Sequence, residues 1–80
     1  MSVEDRLRAI FIEVFQLAGT SEADELDRRS DDRWDSFHHM ALMAAIEDGF
    51  GVELDPEQMF RVENLESAAV VLREVDAGAP

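Results

Sequence analysis

Eighty residues make one small domain with a modest core, since a chain this short buries only about 60% of its unfolded surface. Nineteen acids against seven arginines, with no lysine, give a net charge of −12, which disfavours nucleic acid and anionic membrane as partners and favours proteins with basic patches. The absence of cysteine excludes a disulfide framework and a thiolate metal site, and 46% apolar residues in helical register argue against acid-driven disorder.

No Lys/Arg-led apolar leader opens the sequence, and no run approaches the ~18 apolar residues of a membrane span. A soluble, cytoplasmic, monomeric protein is therefore expected. Ser2 is an N-cap residue with Asp5 at the capping-box position, and Glu4 and Asp5 suit the positive end of a helix. Val3, Leu7, Ile10, Phe11, Val14, Leu17 and Ala18 then recur at helical spacing, with Phe15 beside them. The pattern predicts a first helix over 3–17, ended by Gly19.

Residues 19–35 lack a sustained period and read as a long polar loop, with Leu26 as its one strong apolar anchor before Trp34. The pattern allows a short helical turn near Ala23–Asp27. The acids of Glu22–Asp32 are not an EF-hand, because the glycine at loop position six and the closing glutamate are missing.

A second helix is predicted over 36–50, with Asp35 as N-cap and Gly51 at C′. It carries two apolar stripes. Leu42, Met43, Ile46 and Phe50 suit the core, which leaves Met40 and Ala44 on a partly exposed face and Phe37 straddling the two. Val52 and Leu54 point inward around an exposed Glu53. Asp55, Pro56 and Gln58 open a short third helix over 56–61 through a capping box, with Met59 and Phe60 as its apolar anchors. Asn64 caps a fourth helix over 65–75, whose buried stripe is Leu65, Ala68, Ala69, Leu72 and Val75, widened by Val71. Residues 77–80 read as a frayed tail. The expected fold is a single all-α domain over 1–80, a small four-helix bundle of three main helices, a short third helix and a long first loop.

Ser36 stands where the second helix begins, beside free backbone N–H groups and the positive end of the helix dipole. That is a favourable place for a serine that carries a phosphate ester. Nothing in the sequence around it supplies a triad, so Ser36 reads as the substrate of another enzyme and no residue is assigned a catalytic role. His38 and His39 are adjacent, point about 100° apart and cannot chelate as a helix pair, so no metal site is expected. His39 shares a face with Ser36, which leaves open a contact with a phosphate there or a plain surface position. Trp34 reads as a loop anchor on the bundle, with a wall beside Ser36 as the other use of its ring.

Asp35-Ser36-Phe37 resembles the Asp-Ser-Leu motif of acyl carrier proteins, with phenylalanine where the family usually has leucine. The similarity continues through Met40, Leu42, Met43, Ile46, Glu47, Asp48, Phe50, Val52 and Leu54, then the Asp55-Pro56-Glu57 turn and the Asn64–Val71 pattern. It covers roughly the C-terminal two-thirds of the chain. The resemblance implies a bundle fold and a 4′-phosphopantetheine, derived from coenzyme A, attached at Ser36 by a phosphopantetheinyl transferase. It also implies a non-catalytic carrier of acyl thioesters.

In such carriers the aspartate at Asp35 is read by the transferase and acids at Glu47 and Asp48 serve docking, and the exposed apolar stripe of Phe37, Met40 and Ala44 is expected to join them as a partner surface. The implied partners are the transferase and acyl-transferring or ligating enzymes and synthases with basic patches. His38 and Ala41 stand where many fatty-acid carriers have acids, and Trp34 stands where glycine often precedes the motif, which points to a specialised, polyketide-like pathway. Aminoacyl and peptidyl carriers more often show Gly-Gly-x-Ser, which residues 32–36 do not match. An unmodified helical adaptor is the reading from another class.

Overall fold

Helix α1 spans Val3–Phe15 in the computed structural model, which describes residues 2–77. Ser2 Oγ accepts the Asp5 N–H at 3.1 Å, a cap worth about 1 kcal/mol. The Asp5 carboxylate also reaches Arg8, 3.0 Å away, and the Ser2 hydroxyl and backbone, then Arg8, hold it below its ordinary pKa. The helix does not run to residue 17. Gln16 adopts φ +53°, and the N–H groups of Gln16 and Leu17 both reach the Ile12 carbonyl. Closing the helix in this way turns Leu17 back into the core, where it is 7% exposed. Gly19 instead opens α2 (Thr20–Glu25).

That helix replaces part of the expected loop, so the described chain has five helices rather than four. Six residues are too few to be helical on propensity alone. Burial decides it: Ala23 and Leu26, three apart, are 0% and 2% exposed, and α2 packs on α1 and α5. The turn allowed by the sequence near 23–27 is thus a real helix, placed three residues earlier.

Residues 26–35 are ordered by polar clamps. Arg29 donates to both oxygens of Asp27 at 3.0 and 2.9 Å, and Arg33 does the same to Asp31 at 3.0 and 2.8 Å. In each pair the arginine backbone N–H also bonds the same carboxylate. These donors hold the Asp27 carboxyl far below the usual range and Asp31 down to about 2. The connector is stitched to the segment before the last helix by Arg28 N–H to the Glu63 carbonyl (2.8 Å) and Asn64 Nδ2 to Asp27 Oδ2 (3.3 Å). This Asp27–Asn64 bridge is isolated, and no strand occurs among the described residues.

The remaining helices follow local signals. Helix α3 is Ser36–Phe50, closed by Gly51 at φ +65°. Helix α4 is Pro56–Arg61, with the reciprocal Asp55–Gln58 capping box in place. Helix α5 is Leu65–Ala77, with Asn64 Oδ1 accepting from Ser67 N–H (2.8 Å) and Ser67 Oγ accepting from Asn64 N–H (3.0 Å). It extends two residues beyond the predicted end. The tail expected to fray lies, apart from Ala77, outside the described residues.

The core forms around α1, which packs on α2, α3 and α5. Leu7 and Phe11 are fully buried in it, beside Leu42, Met43, Ile46, Ala68 and Val71. At the far end of α3, a Cβ on Gly49 would stand 3.1 Å from Ile10 Cδ1, so glycine permits close approach to α1. Arg6 of α1 lies over the Phe50 ring and donates to the Gly49 carbonyl, capping the negative end of α3. One expected anchor is misplaced. Phe60 is 71% exposed, while Val62 is buried in its stead, because the chain leaves α4 in extended conformation and points Val62 inward. Among the described residues no helix is long and apolar enough to cross a membrane.

Candidate functional site

Asp35 starts the site. Its backbone is extended, and its Oδ1 accepts the His38 N–H at 2.8 Å. His38 Nδ1 lies 2.7 Å from the same oxygen. The backbone N–H of His38, then its ring, hold the Asp35 carboxyl below its ordinary pKa. The cap fixes the next residue, Ser36, as the first of α3, on the surface. Among the described residues no hydrogen bond engages its Oγ, and neither adjacent imidazole reaches it.

Both imidazoles are committed elsewhere. His38 stacks on Phe15 (centroids 5.5 Å, planes 17° apart) while bonded to Asp35. His39 is half-buried rather than freely exposed. Its Nδ1 accepts the Trp34 indole N–H at 2.9 Å, and its Nε2 meets the Met59 carbonyl at 3.0 Å. Those partners select the neutral ring protonated at Nε2, and burial, reinforced by the nearby Arg28 charge, keeps its pKa below the ordinary value. His39 thus bolts the connector, α3 and α4 together, and the contact with a phosphate that its position left open has no free ring nitrogen to make it.

Trp34 serves as both anchor and wall. Its ring is 5% exposed, edge-on to Phe11 and tilted against Phe15. It also lines a surface groove of about 490 Å³ with Arg28, Asp35, Ser36, His39 and Met40. Arg28 carries no signal in the sequence, lying eight residues before Ser36 in a loop. The turn after α2 and the bridge to Glu63 carry it across to this groove.

Beside the groove, and sharing Met40 with it, lies an apolar surface. Phe37 is 76% exposed and Met40 59%, and Ala44 continues the stripe one turn on. Phe37 therefore stands outward rather than straddling the two stripes, held edge-on to His38. The outward Phe60 of α4, missed as a surface residue, lies beneath the Arg28 guanidinium, 5.4 Å from ring centroid to cation. Of the two acids near the end of α3, only Asp48 is free on the surface. Glu47 is half-buried and accepts the Leu54 N–H at 2.9 Å, which fastens the turn after the helix. Glu53 and Glu57 extend the exposed acidic face beyond Asp48. Among the described residues no group of three or more acidic or imidazole side chains is gathered to hold a metal.

Comparison with family models, curated proteins and solved structures returns no match to this chain.

Proposed function

We propose that the chain is an acyl carrier protein in which Ser36 bears 4′-phosphopantetheine. The observation that carries this reading is the placement of Ser36. It is the first residue of a fifteen-residue helix, exposed, with an unengaged hydroxyl between the capping Asp35 and the outward Phe37. The similarity of residues 35–71 to the carrier-protein motifs supports it, as does the strand-free helical fold around α1.

A phosphopantetheinyl transferase would join Ser36 Oγ to the β-phosphorus of coenzyme A, releasing adenosine 3′,5′-bisphosphate, with the serine proton passing to the transferase. The site suits that group: open solvent at Oγ, a groove beside it, and one cation, Arg28, on the groove wall. When bound, the arm supplies a terminal thiol that holds acyl groups as thioesters. The chain itself presents the cargo to successive enzymes at high local concentration and performs no bond chemistry. Phe37, Met40 and Ala44 offer the apolar contact, with Asp48 and its neighbouring acids steering basic partners.

The test is intact mass after incubation with coenzyme A and a broad-specificity transferase. Wild type gains one phosphopantetheinyl group and Ser36→Ala gains none. An unchanged wild-type mass with several transferases removes the carrier reading. It leaves the adaptor reading, for which the exposed Phe37, Met40 and Phe60 are the favouring observation.

A further inference from the structure

Three of the arginines converge on the region before α3, and two of them are spent. Arg29 and Arg33 each present the planar fork of the guanidinium to one carboxylate, Asp27 and Asp31 respectively. Arg28 is held differently. Among the described residues its polar contacts run through Nη2, to the Phe60 carbonyl at 3.2 Å and Glu63 Oε1 at 3.3 Å. Glu63 is also shared with Arg29, 3.6 Å away. Nε and Nη1 make no hydrogen bond there, and the side chain is 24% exposed. Its Phe60 contact and the backbone bond to Glu63 fix it in place without using up its donors.

Among the described residues Arg28 is the one cation lining the groove that contains Ser36. From Trp34 to Phe60 the sequence has six acids and no Lys or Arg. An anion attached at Ser36 would meet like charge first at Asp35 next to it, whose carboxylate already engages the His38 ring. The Trp34 indole N–H is spent on His39, whose own two ring nitrogens are both occupied, so His39 stays neutral.

We propose that Arg28 is the built-in counter-ion of the phosphodiester on Ser36, pairing with it across the groove through the guanidinium nitrogens left free. The inference rests on the carrier reading above and adds to it a positioning residue that tethers the root of the arm to the connector. A monoanionic phosphodiester and a pre-positioned guanidinium match in charge and in planar donor geometry. Because the pair is partly exposed, it weakens as salt rises.

The experiment uses wild type, Arg28→Gln and Arg28→Lys, each incubated with coenzyme A and a broad-specificity transferase, weighed, and then examined by phosphorus-31 NMR. All three take up the group. In wild type the phosphodiester resonance is displaced from its position in the same loaded protein unfolded in urea, and the displacement shrinks with added sodium chloride. In Arg28→Gln the displacement is lost, and in Arg28→Lys part of it returns. Loaded wild type and loaded Arg28→Gln with the same resonance overturn the proposal while the carrier reading stands. A wild-type protein that takes up no group overturns both. Should Arg28→Gln not fold, the wild-type Arg28 Nε–H resonance decides. It shifts on loading if the pair forms, and an unchanged resonance overturns the proposal.

Discussion

The Trp34 indole N–H donates to His39 Nδ1 at 2.9 Å, so the imidazole beside the candidate serine is held in its neutral form. Protonating Nδ1 breaks that bond and places a second cation near Arg28. The folded-state pKa lies below the ordinary 6.5, chiefly through burial. The unfolded chain therefore binds the proton first as pH falls. The stabilisation is fully present above pH of about 6.5, and is lost progressively as pH drops through that value toward the folded pKa. Urea midpoints measured between pH 8 and 5.5 should fall for wild type and remain flatter for His39→Gln. Parallel curves for the two proteins would remove His39 as the titrating group.

Asp35 is expected to matter twice, for helix initiation and for recognition by the transferase. Asp35→Ala should lower stability by about 1 kcal/mol, and Asp35→Ser should recover most of it, since a hydroxyl also caps α3. Equilibrium unfolding reads this directly. If Asp35→Ser restores stability yet loading of Ser36 remains slow, the carboxylate has a role with the transferase beyond the cap.

Gln16 occupies the left-handed region at φ +53°, which costs an L residue roughly 1–2 kcal/mol and glycine almost nothing. Glycine also loses more backbone entropy on folding, so the net gain from Gln16→Gly is about 0.5–1 kcal/mol. A higher urea midpoint with unchanged slope is the expected result. An unchanged or lower midpoint would show that the Gln16 side chain contributes something its exposed position does not suggest.

The acids at the end of α3 should separate into a structural and a steering residue. Glu47→Ala removes the acceptor for Leu54 N–H and should cost about 1–2 kcal/mol of stability, whereas Asp48→Ala should stay within about 0.5 kcal/mol. In stopped-flow binding to a transferase, Asp48→Lys should slow association and flatten its salt dependence. Met40→Ala should instead speed dissociation, about tenfold for a contact worth ~1.4 kcal/mol, with little salt effect. Wild-type rates in both variants, together with loss of binding in Arg73→Glu on α5, would place the docking face elsewhere.

What could be read from the chain alone was local. The bounds of α3 and the starts of α4 and α5 follow from residues within a few positions of each end: Asp35, Gly51, the Asp55–Gln58 box and Asn64 act on backbone groups one turn away. The buried stripes of α1, α3 and α5 follow from helical period over thirteen or more residues. The exposure of Met40 was legible for the same reason, since a helix with two apolar stripes cannot bury both in a small bundle. Tertiary contact decided the rest. Six residues are too few to show a period, so α2 became a helix only because Ala23 and Leu26 found a cover, and α4 turned Phe60 out and left Val62 to the core. Gln16 ends α1 although nothing in its chemistry marks a helix end, because Leu17 had to turn inward. The partners of His39 and Glu47 are likewise spatial neighbours, at sequence separations of five to twenty residues that no local pattern encodes. Arg28 is the furthest case. Its position at the groove comes from a bridge to Glu63, thirty-five residues away, and a backbone hydrogen bond across that distance is a property of the folded chain alone.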